Sequence, residues 1–173
     1  MISQPQLVKE LVNTWHQTIP LSQFMQVDVV AFEEAGAMSP LNNKLQHEPT
    51  SEPPNSPLWQ LVTTAPLAPN INLHQTMFAG SIYTLMTLTG WGMIWLQQQL
   101  NQLDGNIVLA DAKVKYLAPV TGQPHAKVIW NNLDLSPLKT ANKVKIPLQV
   151  ELWCGNTLCA NFSGVYVSLP PAI

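Results

Sequence analysis

Three polar side chains of this sequence are candidates for proton transfer or for the orientation of a water molecule. His74 carries an imidazole, the side-chain type that most often serves as a general acid or base, although it could also be structural. Asn72 could orient a water molecule or a carbonyl, or simply cap its own loop. Asp111 interrupts an apolar run, and a carboxylate at such a position usually has a partner or a function. It could pair with Lys113, cap a backbone group across a subunit interface, or act as a base.

Small residues follow these polar ones. Ala79, Gly80 and Ser81 come directly after Phe78 and open a predicted helix. The first amides of a helix have no internal partner and carry the positive end of its dipole. A carbonyl bound there would have its developing negative charge stabilised, an effect of about 10²–10³-fold per donor in other enzymes. The small side chains could equally serve only to let the helix start close to a sheet. Thr76 is the expected N-cap.

The tract from Pro69 to Leu100 contains no Asp, Glu, Lys or Arg. Between Met77 and Leu96 apolar residues occur on every side of a helix, so the helix must be buried by something other than water. Its length approaches that of a membrane span. However, Ser, Thr and Gly residues lower the hydrophobicity of this segment. No Lys or Arg lies within about fifteen residues of either end to fix the orientation of a helix in a membrane. We therefore predict a central helix at about 78–99 that is buried by a sheet, with no membrane insertion.

The rest of the chain supplies that sheet. Hydrophobic periodicity predicts an N-terminal helix at about 3–17 and no β-α-β alternation, so the strands should pair antiparallel. A Pro-rich, irregular excursion at about 36–57 separates the first two strands. We predict one α+β domain, residues 1–173, whose antiparallel sheet wraps around the central helix. The predicted strands are 24–32, 58–65, 107–117, 125–131, 144–154 and 158–166.

The pairing register of the last two strands can be predicted from their alternation. A two-residue turn at Gly155–Asn156 would place Val150 opposite Asn161, whereas a three-residue loop would place it opposite Phe162. Because a slip of one residue moves every side chain to the other face, only the second register joins two apolar faces. We therefore predict the three-residue loop.

Composition excludes several classes of function. The chain has a net charge of −2, only 10% charged residues, eight Lys and no Arg, so it has no basic cluster for nucleic acid. Such a charge-poor surface suggests a homo-oligomer.

The N-terminus has no signal-peptide pattern, so a cytoplasmic location is expected. Cys154 and Cys159 should point to opposite faces and stay unpaired, and no metal site is indicated.

Two segments carry a resemblance to a known family. Residues 72–81, NLHQTMFAGS, and residues 109–112, LADA, resemble the YiiD C-terminal, putative thioesterase family, and the strand ending in Tyr116 followed by 117–119 is similar to hotdog-fold acyl-thioesterases and dehydratases. The resemblance implies a hotdog fold and hydrolysis of acyl-CoA or acyl-carrier-protein thioesters. It also implies a homodimer or tetramer with sites between subunits, and no cofactor beyond the CoA or phosphopantetheine of the substrate. On such a fold, we predict from the residues themselves that Asn72, His74 and Asp111 are catalytic and that the substrate-binding residues are Phe78, Ala79, Gly80 and Ser81.

The sequence departs from one pattern within this superfamily. Phenylacetyl-CoA-type thioesterases carry an Asn six residues before a His-Gly-Gly motif, with an acid further along the helix. Aligning Asn72 with that Asn places Phe78 at the His and Thr87 near the acid. The alternative function is therefore a non-catalytic acyl- or pantetheine-binding module. The lack of Arg favours an acyl carrier protein or a weakly held CoA, because Arg is the usual bidentate phosphate ligand.

Overall fold

The structure is a computed structural model that describes residues 4–35 and 58–171. The predicted Pro-rich excursion at 36–57 lies outside the described residues. The helices are α1 (Gln4–Thr18), α2 (Pro20–Phe24) and α3 (Ala79–Leu100), and two 3-10 helices span Ala68–Asn70 and Ser136–Thr140. The strands are β1 (Asp28–Glu34), β2 (Trp59–Thr64), β3 (Asn106–Tyr116), β4 (Pro124–Ile129), β5 (Val144–Cys154) and β6 (Thr157–Leu169).

The six strands form one sheet in the order β1-β2-β4-β5-β6-β3, and every neighbouring pair is antiparallel. One face of the sheet packs against α3, which contacts strands from β2 to β6. Side chains from successive strands align in rows across this face, for example Leu61, Val128, Val150 and Phe162. The predicted hotdog fold, an antiparallel sheet wrapped around a central helix, is confirmed.

Helix α3 is buried along most of its length, as its apolar residues predict. Ile82, Leu85, Met93 and Ile94 are all less than 5% exposed. Helix α1 covers part of the surface of α3 that the sheet leaves open, because its own apolar residues Leu7, Leu11 and Trp15 are buried. A methyl group added to Gly92 of α3 would overlap the Trp15 ring, so this glycine sets the close approach of the two helices.

The first strand begins later than predicted. Residues 20–24 form α2 instead of the start of the strand, and β1 begins at Asp28. Pro20 occupies the first turn of α2, where its fixed φ suits a helix and its missing N–H costs nothing. The Ser22 hydroxyl donates to the Ile19 carbonyl at 2.7 Å and steadies the turn. Phe24 therefore lies at the end of a short helix, 68% exposed.

Strand β3 contains a bulge that the alternation did not predict. Leu109 pairs with Tyr166 and Asp111 pairs with Val165, which leaves Ala110 without a partner in β6. The extra residue reverses the alternation on its N-terminal side. Val108 is consequently on the outward face, 45% exposed, whereas strict alternation without a bulge would place it on the same face as Val114.

The register of the β5–β6 hairpin is as predicted, but its loop is not. Val150 pairs with Phe162, as predicted, yet the turn contains only the two residues Gly155 and Asn156. A bulge at Cys159 supplies the residue that the shorter turn omits. Gly155 has φ of 56°, in the left-handed region that a tight hairpin turn favours. Both cysteines of the chain are free thiols, in agreement with the prediction.

Candidate active site

The first turn of α3 has no side-chain cap. Its N-cap residue is Phe78, not Thr76 as predicted, and no side chain hydrogen-bonds to the cap. The Thr76 hydroxyl is instead 3.0 Å from the side-chain nitrogen of Asn72. Within the described residues, the amides of Ala79, Gly80 and Ser81 have no backbone or side-chain acceptor. Three N–H donors are therefore available at the positive end of the helix dipole.

A tight turn immediately before α3 fixes the position of this helix start. Ile71 and Met77 form an antiparallel bridge, and the Asn72 amide donates to the Thr76 carbonyl at 2.8 Å. The Met77 amide donates to the Val120 carbonyl at 2.9 Å, which ties the turn to the segment that follows β3. Backbone hydrogen bonds within the turn and to Val120 therefore hold the N-terminus of α3 in place.

Asn72 organises this turn. Its side-chain oxygen accepts hydrogen bonds from the amides of His74, at 2.8 Å, and Thr76, at 3.3 Å. This is the loop-capping geometry that asparagine commonly adopts. The structure therefore shows Asn72 in the loop-capping role that the sequence left open, and its predicted catalytic role stays a prediction.

His74 lies at the tip of the turn and is exposed. Its neighbours Leu73, 85% exposed, and Gln75, with φ of 61°, share the tip. Within the described residues the imidazole has no hydrogen-bond partner. It is therefore free to contact a ligand or a second subunit beside the start of α3.

Asp111 is not brought to the helix start within one chain. The Tyr116 hydroxyl donates to the Ala79 carbonyl at 3.1 Å, so the C-terminal end of β3 is the part that meets the first residue of α3. Asp111 precedes Tyr116 by five residues, roughly 17 Å along a strand. Its carboxylate is exposed on the outward face of an edge strand. Within one chain, Asp111 therefore lies far from the amides of α3.

Phe78 lies over the helix start. A methyl group added to Gly80 would overlap the Phe78 ring, so the ring packs directly on the glycine backbone. The ring is 55% exposed and is not locked in the core. Phe78 therefore covers part of the Gly80 backbone, at the edge of the region where a carbonyl would bind.

A cavity of about 330 Å³ lies beside this first turn. Its apolar walls come from α2, from the segment before the turn and from Phe78, and the polar residues on its lining are Asn70, Ser81 and Thr84. Asn70 is 2% exposed, and its side-chain oxygen has no hydrogen-bond partner within the described residues. Asn70 is not among the predicted site residues, because a Pro-Asn pair at a 3-10 helix carries no signal for a site.

A pair of tyrosines also lies near the helix start and was not predicted. Tyr83, one turn into α3, packs edge-on against Phe162 with ring centroids 5.9 Å apart. Burial, and to a lesser extent the neighbouring Tyr83, raise the pKa of Tyr116. Tyr116 is protonated at neutral pH even at the ordinary pKa of 10.0, and the upward shift extends to higher pH the form that donates to the Ala79 carbonyl.

A second cavity, of about 430 Å³, lies at the opposite end of α3. Its lining includes Trp59, Trp130, Asp134 and Lys139 and none of the predicted site residues. The predicted residues that the structure does bring together are Asn72, His74 and the first residues of α3. The apolar cavity with free amides at its edge is therefore the arrangement best suited to bind an acyl carbonyl.

Comparison with known proteins identifies the family. The model of the family described as putative thioesterase (yiiD_Cterm), YiiD_C, matches residues 39–170. The chain belongs to this family. It is 50% identical to the putative thioesterase from Shewanella oneidensis, with 96% of this chain and 100% of that chain covered and a TM-score of 0.80.

Two more distant solved structures extend the comparison. A protein of unknown function from Chlorobaculum tepidum TLS is 25% identical over 96% of both chains, with a TM-score of 0.73. The PaaI protein of E. coli, from the phenylacetic acid degradation operon, is 11% identical over 99% of both chains, with a TM-score of 0.62. The second likeness shows the fold alone.

In residues 4–35 and 58–171, no helix has the length and apolar character required to cross a membrane.

Proposed function

We propose that this YiiD_C protein hydrolyses acyl thioesters carried by CoA or by an acyl carrier protein in the cytoplasm. The observation that supports this proposal is the uncapped start of α3, where the amides of Ala79, Gly80 and Ser81 have no acceptor within the described residues and border an apolar cavity. An acyl chain fits the apolar walls, and its carbonyl oxygen matches the free donors.

The proposed reaction is the attack of a water oxygen on the thioester carbonyl carbon. The amides of α3 stabilise the oxyanion, and the exposed His74 imidazole accepts the proton of the water. Collapse of the intermediate breaks the C–S bond, the thiol leaves with the proton from the imidazolium, and a carboxylic acid remains. Asn72 contributes by holding the His74 backbone. The Phe78 ring moves off Gly80 when substrate enters.

We propose that the working unit is a homodimer. β3 is an edge of the sheet, and one row of its backbone groups has no strand partner within the described residues. Pairing of two β3 edges would extend the sheet and bring a partner's Asp111 towards the site of the first subunit. In this arrangement Asp111 orients the attacking water or the imidazole from across the interface.

The test is the release of free thiol from a panel of acyl-CoA and acyl-carrier-protein substrates of increasing chain length. We expect turnover by the wild-type protein and a fall of at least about tenfold in kcat for His74→Ala and for Asp111→Asn. Both residues are exposed, so neither variant should lose stability. Turnover that is unchanged in both variants would contradict the assigned roles.

One observation favours a second candidate, a non-catalytic acyl- or pantetheine-binding module. Phe78 stands where related thioesterases carry a histidine, and its ring lies on the Gly80 backbone. A binding module needs the cavity and the amides but no proton-transfer group. Thermal stabilisation by acyl-pantetheine without any release of thiol would favour this candidate over hydrolysis.

A further inference from the structure

Asn70 connects three segments at the cavity beside α3. Its side-chain nitrogen donates to the carbonyls of Met25, at 2.9 Å, and Pro66, at 2.8 Å. Its backbone carbonyl accepts the Phe78 amide at 2.7 Å. Asn70 therefore joins the end of α2, the segment after β2 and the start of α3, and its side chain is held in one orientation.

The side-chain oxygen of Asn70 is a buried acceptor with no donor in the described part of the chain. An exchange of the amide oxygen and nitrogen cannot remove this deficit, because the nitrogen must face the carbonyls of Met25 and Pro66. Folded proteins leave few buried polar groups unpaired, since such a group loses its hydrogen bonds to water without replacement. The missing donor must therefore come from outside the described part of the chain, and the adjacent cavity can hold it.

The cavity that Asn70 lines is the place from which such a donor can come. Three of its walls are the apolar side chains of Leu21, Phe24 and Ile71. The hydroxyl of Thr84, on another wall, already donates to the Gly80 carbonyl at 2.9 Å. The oxygen itself is covered, so an occupant reaches it only if a wall moves, and Phe24 is the most exposed wall at 68%.

We propose that Asn70 is a specificity-determining residue whose side-chain oxygen accepts a hydrogen bond from an N–H or O–H group of the ligand close to the thioester. This inference rests on the proposed function, because a carbonyl bound at the α3 amides places its neighbouring atoms in this cavity. Two parts of an acyl thioester carry such a donor. One is a hydroxyl on the acyl chain, and the other is the first amide N–H of the pantetheine arm.

The experiment compares two pairs of substrates that differ only in the donor. The first pair is 3-hydroxyoctanoyl and octanoyl thioesters on the same carrier. The second pair is an octanoyl thioester of N-acetylcysteamine and its analogue in which an ester oxygen replaces the N–H. We expect the wild-type protein to prefer the donor-bearing member of at least one pair by about tenfold or more in kcat/KM, because a site built for a donor rejects the analogue that lacks it. If the compounds bind without turnover, the ratio of Kd values replaces kcat/KM.

Two variants test whether Asn70 causes the preference. Asn70→Ala should bring the ratio within the pair close to one. Gln98→Met is the matched control, because it removes a buried amide that hydrogen-bonds to Ser168 at 2.6 Å near the other end of α3. Gln98→Met should lower the stability of the protein but leave the ratio of kcat/KM within each substrate pair unchanged.

Equal values within both pairs for the wild-type protein would overturn the inference, even if Asn70→Ala does not fold. A preference that persists in Asn70→Ala would also overturn it. Turnover or binding of all four compounds without discrimination would leave the proposed function standing while this inference fails. The absence of both turnover and binding for all four compounds would overturn the proposed function and this inference together.

Discussion

The contact between Phe78 and Gly80 determines how open the start of α3 is to a ligand. Gly80→Ala places a methyl group where the Phe78 ring now lies. The ring is 55% exposed and can rotate away, while alanine favours the helical conformation by roughly 0.5–1 kcal/mol over glycine. We therefore expect a free energy of unfolding within about 1 kcal/mol of wild type in urea denaturation, and a fall of at least about tenfold in kcat/KM because the methyl group blocks the carbonyl.

Gly122→Ala is the control for this substitution. A methyl group at Gly122 meets only the Cys154 sulfur at 3.5 Å, an ordinary contact, so stability and kcat/KM should both remain near wild type. A Gly80→Ala protein with normal kcat/KM would contradict the placement of the carbonyl at the α3 amides.

Tyr166 should make the stability of the protein depend on alkaline pH. Burial raises its pKa well above the ordinary value of 10.0, and its hydroxyl donates to the Thr87 carbonyl at 2.8 Å. The unfolded chain releases this proton above pH 10 while the folded chain retains it, so the stabilisation is complete below pH 10 and is lost as pH rises further. We expect a slope of about 1.4 kcal/mol per pH unit from this one group.

The measurement is urea denaturation of the wild-type protein and of Tyr166→Phe between about pH 8 and pH 11. The variant should be less stable at pH 8, because it lacks the hydrogen bond, and its free energy of unfolding should fall less steeply above pH 10. Parallel curves for the two proteins would contradict the assignment.

At the scale of elements, α1 and α3 approach each other closely at Gly92. The Trp15 ring is fully buried against Gly92 and cannot rotate away as Phe78 can. Gly92→Ala should therefore destabilise the protein by about 1–3 kcal/mol, because overpacking in a fixed core forces side chains out of their preferred conformations. Urea denaturation measures the loss.

A smaller ring provides the control for this contact. Trp15→Phe removes the ring atoms that the new methyl group would overlap most and leaves only the milder contact with Leu11 at 3.2 Å, so the double variant should be more stable than the sum of the two single effects predicts. Strict additivity of the two effects would show that α1 and α3 do not press against each other at this point.

Sequence patterns predicted the elements that depend on long hydrophobic periods. The uncharged run of α3 and the alternation of β5 each bury many side chains, so their type and register were fixed by burial alone. The bulges at Ala110 and Cys159 were not predictable, because one extra residue is compensated within the sheet and leaves no local signal. α2 was missed because Pro20 can either end one helix or begin the next.

The candidate site was less predictable than the fold. The amides of Ala79, Gly80 and Ser81 belong to the first turn of a long helix, and the sequence pattern predicts that helix clearly. Asn70 and Tyr116 reach the same place through contacts between segments distant in the chain, with Met25 and Ala79 respectively. Spacing along the sequence carries no information about such contacts.

At the scale of the whole molecule, the proposed site requires two subunits. If His74 acts in one subunit and Asp111 in its partner, a mixture of His74→Ala and Asp111→Asn chains forms heterodimers with one intact site. Re-association of equal amounts should restore about a quarter of wild-type activity, because half of the dimers are mixed and each has one working site of two. Thiol release before and after mixing measures this recovery.

The alternative arrangement gives a clear contrast. If both residues acted within one subunit, no mixed dimer would contain an intact site and mixing would restore nothing. The mass in solution should also be twice the 19.1 kDa of one chain, or a higher multiple of it. A monomer with full activity would contradict the shared site, because Asp111 is far from the α3 amides within one chain.

The most direct test is a crystal structure of the protein with a non-hydrolysable acyl-pantetheine analogue. We predict that the carbonyl oxygen lies about 2.7–3.1 Å from an amide nitrogen of Ala79, Gly80 or Ser81, with the Phe78 ring displaced from Gly80. The acyl group should occupy the cavity lined by Phe24 and Asn70. An analogue bound elsewhere, with the Phe78 ring still resting on Gly80, would contradict the central claim.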